Sequence, residues 1–194
     1  RIDIGDRVEI EGWLRGRAEL LSGLDRRLGD AARPVVEASA RILTLSRSAS
    51  VAAAVIGAWN HGWRGEVIVF DGSPAGCGAE QAGRLAKLIP TVRSQPDAAM
   101  PAWIEGGGVQ VVIGADAVSS RRLVNACGTR VLLELAAARS VPVAVVADTG
   151  KDLPDAEIDE ILMAGPVAME EGTARRWPLF EAASMDLVTD RVAE

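Results

Sequence analysis

Histidine, cysteine and tyrosine are nearly missing from this chain of 194 residues, which holds one histidine (His61), two cysteines (Cys77 and Cys127) and no tyrosine. A single histidine excludes a multi-histidine metal site. Two cysteines fifty residues apart supply neither a disulfide framework nor a zinc ligand set, so no metal and no cofactor are expected. Positive charge is also short: 21 Lys and Arg stand against 27 Asp and Glu, for a net charge of −6 and a pI near 5.0. The broad basic footprint of a nucleic-acid binder is therefore absent, and direct nucleic-acid binding is not expected. No apolar run reaches the roughly 18 residues of a membrane span, and no basic stretch precedes an apolar one as in a signal peptide. The expectation is a cytoplasmic, reducing setting without membrane contact. The chain begins at Arg1 and not at methionine, which leaves room for a segment upstream.

What is present is a folding composition: 48% hydrophobic residues with 20 glycines and 9 prolines, enough for one large domain or a compact domain with a helical annex. Residues 1–40 are expected to form a short helical N-terminal segment. Within 7–40, Val8, Ile10, Trp13, Leu14, Leu20, Leu21, Leu24, Leu28, Val35 and Val36 recur among charged residues at spacings of three and four. Gly29 and Pro34 are expected to break this helix into pieces. From residue 41 to 194 the texture changes to short apolar runs alternating with longer periodic stretches. The runs are RILTL at 41–45, EVIVF at 66–70, VQVVIG at 109–114 and VPVAVVA at 141–147. Runs apolar on both faces and interleaved with helices define an α/β fold, a Rossmann-like and mostly parallel sheet with helices on both faces. Residues 152–194 hold eleven acidic and three basic side chains and read as less regular, with an edge strand near 187–192.

Ligands of such sheets bind beyond the carboxyl ends of the strands, which singles out the loops 46–50, 71–78, 114–120 and 147–152. Ser46, Ser48 and Ser50 can cradle a phosphate, or one of them simply caps the following helix. GSPAGCG at 72–78 permits close backbone approach but lacks the spacing and lysine of a P-loop. Asp116 directly follows an apolar strand, as an acid, a base or a binding carboxylate, or as a brace for its own loop. Cys127 opens a helical stretch, where its thiol is either activated by the helix N-terminus or a small packing residue. His61 falls at a helix end, in a capping position.

Taken in order, ILTLSRSASV at 42–51, VIVFDGSPAGCGAEQAGRLAKL at 67–88, VVIGADAVSSRRLVNACGTRVLLELAAARSVPVAVVA at 111–147 and PLFEAASMDLVTD at 178–190 resemble the initiation factor 2B family. That family includes the alpha, beta and delta subunits of eukaryotic initiation factor 2B, methylthioribose-1-phosphate isomerase and ribose-1,5-bisphosphate isomerase. The resemblance implies a helical part before a Rossmann-like domain that forms a homodimer. It also implies that either the family's first helices are deleted here or the chain is partial. Isomerising members pair a loop cysteine with the aspartate of GAD to move protons on the sugar. Those positions fall on Ser46 and Asp116. The family's loop arginine falls on Ser73 and its NKxGT lysine on Ala126, whereas Asn125, Gly128 and Thr129 keep the motif. A serine hydroxyl is a poor acid or base without an activating partner.

The expected ligand is a phosphorylated sugar or nucleotide, bound by Ser46, Arg47, Ser48, Asp116, Asn125, Gly128 and Thr129, with Arg121 and Arg122 as compensating cations if they point inward. The expected function is a noncatalytic initiation factor 2B-like protein acting through assembly. The alternatives are an aldose-to-ketose phosphate isomerase using Asp116 with Ser46 or Cys127, and a Rossmann domain kept only for protein contact.

Overall fold

The computed structural model describes residues 23–73, 75–165, 167–169 and 176–194. Val8, Ile10, Trp13, Leu14, Leu20 and Leu21 of the expected helical segment lie outside the described residues. Five short segments, β1 (Arg41–Leu45), β2 (Glu66–Phe70), β3 (Val92–Gln95), β4 (Val109–Gly114) and β7 (Val143–Val146), join β11 (Asp190–Val192) in one six-stranded sheet. Its order is β11-β7-β4-β1-β2-β3, and every pairing is parallel. The chain moves outward from β1 through β2 to β3, then crosses to β4 on the other side of β1. The sheet therefore reverses its winding between β1 and β4, and a crevice opens at their carboxyl ends.

Period-two alternation sends neighbouring residues of each strand to opposite faces. Leu43, Leu45, Ile68, Phe70, Val111 and Ile113 pack with α4 (Met100–Trp103) and α5 (Thr129–Ala138). Ile42, Val67, Val69, Val112 and Ala144 face the other way, onto α2 (Ala49–Asn60), α3 (Cys77–Leu85) and the helix α1 over 23–37. Both faces are thus covered at the centre of the sheet, which explains why β1, β2, β4 and β7 carry apolar residues on both faces.

Gly29 and Pro34 do not break α1, which runs through both. Pro34 and Asp30, whose carbonyl loses its amide partner, both lie on the exposed side, so the lost bond leaves no buried polar group. Gly29 serves packing: a Cβ there would lie 2.6 Å from Ala53 Cβ and 2.9 Å from the Ala54 nitrogen of α2. The contact lets Leu28, Ala32 and Val36 reach the core as fully buried side chains.

The loop expected after β4 contains a hairpin, β5 (Ala117–Val118) with β6 (Arg122–Ala126), and β10 (Phe180–Ser184) adds to it antiparallel. The acidic C-terminal stretch is more regular than its sequence suggested, with helix α6 (Asp155–Ala164), the pair β8 (Val167–Met169) and β9 (Arg176–Pro178), and β10 before the edge strand β11. The two-residue and three-residue strands are too short for a period to show in sequence. In an exposed helix interior Gly→Ala ordinarily stabilises by up to about 1 kcal/mol. At Gly29 the sign reverses: Gly29→Ala is expected to cost about 1–3 kcal/mol as α1 is pushed off α2, measured by urea unfolding.

Candidate functional site

The reversal point opens into a cavity of about 350 Å³. All four loops contribute to its lining: Ser46, Arg47, Ser48 and Ser50 beyond β1, Ala75 and Cys77 beyond β2, Gly114, Ala115 and Asp116 at the end of β4, and Lys151 beyond β7. Asn125 and Ala126 of β6, Leu179 and Phe180, and Asp25 of α1 complete it.

Ser46 has φ 59, a left-handed turn that a serine adopts at some cost. Its N–H donates to Phe70 O at 2.9 Å, and Gly72 makes room for the turn, because a Cβ at Gly72 would lie 2.7 Å from Ser46 Cβ. Ser48 is the N-cap of α2, accepting from the Val51 N–H at 3.3 Å. Gly114 is small for the same reason as Gly72, since a Cβ would stand 2.7 Å from Ser48 Oγ. The two hydroxyls therefore divide the roles open to them: Ser48 caps, and Ser46 projects at the end of β1.

Asp116 donates its backbone N–H to Val124 O at 2.8 Å and so opens the β5–β6 hairpin. Its carboxylate accepts no hydrogen bond from the described residues. Asp116 is exposed at the cavity mouth, yet partial desolvation of its carboxylate pushes the pKa above the ordinary aspartate value, and the charge of Lys151 works in the opposite direction. Lys151, like Asp25, is a residue that sequence reasoning missed. It sits in the 3₁₀ turn Thr149–Lys151, and its Nζ donates to Ala115 O at 2.6 Å. The only signal for it was its place in the fourth strand-end loop.

Arg47 lines the cavity and reaches Glu80 at 3.5 Å. Arg121 and Arg122 do not point inward. Both are tied to α6, Arg121 to Asp155 at 2.5 Å and Arg122 to Asp159 at 2.7 Å. The Asp155 carboxyl is held down to about 2 by the Ser119 hydroxyl and by the Arg121 and Arg122 guanidiniums. Gly128 and Thr129 stand behind the cavity wall. Gly128, at φ 98, is the N-cap of α5, and the Thr129 hydroxyl donates to Ala126 O at 2.7 Å while accepting from Asn125 Nδ2 at 3.0 Å. Glu181 completes the cap, its Oε1 accepting from the N–H groups of Gly128 at 2.8 Å and Arg130 at 2.9 Å. The cap thereby ties the PLFE segment to the GT turn.

Cys127 does not line the cavity, and its thiol is raised and not lowered, by burial and then by the negative charge of Glu181. His61 is the C-cap of α2, with Nδ1 2.8 Å from Gly57 O. The loop at 71–78 is organised by Asp97, whose carboxylate accepts from Gly72 N–H at 2.9 Å and Ser73 N–H at 2.7 Å. Among the described residues no three His, Cys, Asp or Glu side chains converge as a metal site, and no helix is long and apolar enough to cross a membrane.

A doubly wound parallel sheet with a cavity at its winding reversal defines a Rossmann-like fold. Residues 18–190 match the model of the initiation factor 2 subunit family, and the chain belongs to that family. Similar solved structures include translation initiation factor eIF-2B from Pyrococcus horikoshii OT3 (21% identity, TM-score 0.79, 92% of this chain and 65% of that one) and eIF-2B subunit delta from A. fulgidus (20%, 0.73, 92% and 60%). The 5-methylthioribose 1-phosphate isomerase of Pyrococcus horikoshii OT3 is similar as well (17%, 0.66, 86% and 52%). The chain thus spans 52–65% of the length of these structures, and at such identities the likeness is one of fold. Compared with the curated proteins, the sequence has no match.

Because the pKa of Asp116 is raised on folding, its ionisation opposes folding. The opposition is absent below the unfolded value near 3.8, grows as pH rises past it, and is complete above the folded value. Asp116→Asn is therefore expected to gain stability relative to the parent between about pH 3 and about pH 7, read by urea unfolding at both. A difference that does not change with pH would show a carboxylate that folding leaves solvated.

Proposed function

We propose that this chain is a noncatalytic member of its family that binds a phosphorylated sugar, or the sugar phosphate of a nucleotide, at the strand-end cavity and acts through assembly. The observation that carries this reading is Ser46: it stands where the isomerising members of the family resembled here have their cysteine, in the same cavity as Asp116. No histidine lines that cavity, and neither cation of the family loops is present at Ser73 or Ala126. Serine without a base is not a proton shuttle, but it is a good hydroxyl partner for a sugar. Arg47 and Lys151 supply the positive charge that a phosphate needs.

One observation favours the isomerase instead. Asp116, with its raised pKa, and the Cys77 thiol line the same cavity, so a carboxyl and a thiol are both at hand for moving a proton between adjacent sugar carbons.

For assembly, Val131 on α5 and Ile161 and Met163 on α6 stay exposed at 53%, 38% and 89%. The two helices cover opposite faces of the β5–β6–β10 sheet, so Ile161 and Met163 of α6 are the pair that one interface can share. Exposed apolar side chains on that helix suit a homodimer through the Rossmann-like domain.

Two measurements test these readings. Titration with 5-methylthioribose 1-phosphate or ribose 1-phosphate is expected to raise the thermal midpoint saturably, with no ketose formed; Lys151→Gln is expected to weaken binding about tenfold. Ketose formation that is lost in Asp116→Asn and Cys77→Ser establishes the isomerase, and an unmoved midpoint removes the sugar-phosphate reading. By sedimentation, a dimer is expected that Met163→Glu shifts toward monomer; a monomeric parent rejects this interface.

A further inference from the structure

α2 carries no charged side chain over its 12 residues, ASVAAAVIGAWN, and a helix of that kind is ordinarily covered on every side. Its inner face, Val51, Ala54, Val55 and Ala58, is buried against the sheet. Its outer face is not covered by the described residues. Ala49, Ala52, Ala53 and Ile56 recur there at spacings of three and four and form the floor of an open groove of about 550 Å³. α3 and the turn after it make one wall, with Leu85 and with Leu88, which is 60% exposed. Arg47 and Arg84 stand on that rim and share one carboxylate, Glu80, so the rim is net positive. On the other side Ala53 and Ile56 also line a depression with Asp25, Arg26 and Asp30. The groove therefore reaches the first turn of α1.

We propose that the groove is the docking site of the chain's own residues 7–21, laid over α2 between α1 and α3. Those residues lie outside the described ones, and their sequence has the character the groove requires. Ile10, Trp13 and Leu14 fall at helical spacing on one apolar edge, flanked by Glu9 and Glu11, which suit the positive rim. The alanines of the floor leave room for the Trp13 indole, a side chain that gains much from burial. Leu14 is nine residues from Gly23, a length that spans up to about 30 Å, whereas the groove lies about one helix width, roughly 10 Å, from α1. Tethering holds the segment at an effective concentration on the order of millimolar, ahead of a second copy or a free partner. The contact does not depend on what the strand-end cavity binds.

The test is hydrogen exchange of the full chain, read by mass spectrometry on peptides covering 7–21 and, as a control, β4. In the parent, 7–21 is expected to exchange at least about tenfold more slowly than an unfolded chain. Ala52→Arg fills the groove with a good helix former and is expected to release 7–21 to unfolded-chain rates while β4 stays as protected as before. Leu88→Glu, at a position already exposed, gives the same readout if Ala52→Arg disturbs β4. Free exchange of 7–21 in the parent, or protection that survives a blocked groove, overturns the proposal. Protection that disappears on dilution overturns it too, and assigns the groove to a second copy of the chain.

Discussion

The carboxyl edge of the sheet depends on how closely the turn at Ser46 packs against Gly72. β1 is a central strand, hydrogen-bonded to β2 on one side and β4 on the other, so the chain leaving it has little room. It escapes through a left-handed residue whose amide is taken by Phe70 O and whose Cβ fills the place a Gly72 side chain would need. From that turn follow the direction of α2, the cap at Ser48, and the small residue required at Gly114. A larger residue at either glycine displaces the loop that faces Asp116. Strain of this kind persists only where the surroundings over-determine it, and here a buried parallel sheet does so.

A second dependence joins segments far apart in the chain. Glu181 comes from β10, which pairs with β6 so that Glu181 lies opposite Asn125, and the Cys127 amide donates to Leu179 O at 2.9 Å. The carboxylate is thereby delivered to the unpaired amides at the start of α5, where negative charge is favoured. The same charge discourages ionisation of Cys127. Cap and thiol are coupled, and the arrangement that stabilises the helix also quietens the cysteine beside it.

Much of the fold was legible because its signal is regular: both-face burial puts apolar residues on both sides of RILTL, EVIVF, VQVVIG and the run at 141–147, and parallel strands need the helices between them. Gly29 misled for the opposite reason. In sequence it is a helix breaker, and only the presence of Ala53 across the helix pair turns it into a packing requirement. β5, β6 and β10 escaped notice because they pair only with each other and none carries an apolar run like those of the large sheet. At the site, the loops were readable from strand ends and motif order, which brought out Ser46, Ser48, Asp116 and Asn125. Lys151 and Asp25 were not readable. Lysine and aspartate are ordinary surface residues in a chain this charged, and only the crossing of α1 over α2 and the turn after β7 bring them to one cavity.

The two amides that Asp97 holds at Gly72 and Ser73 bear on time as well as on shape. Loop amides at a protein surface ordinarily open to solvent at almost no free-energy cost. With an internal anion already in place, the amides of Gly72 and Ser73 exchange with solvent only when Asp97 lets them go, and the conformational entropy of those two residues is lost once, at folding.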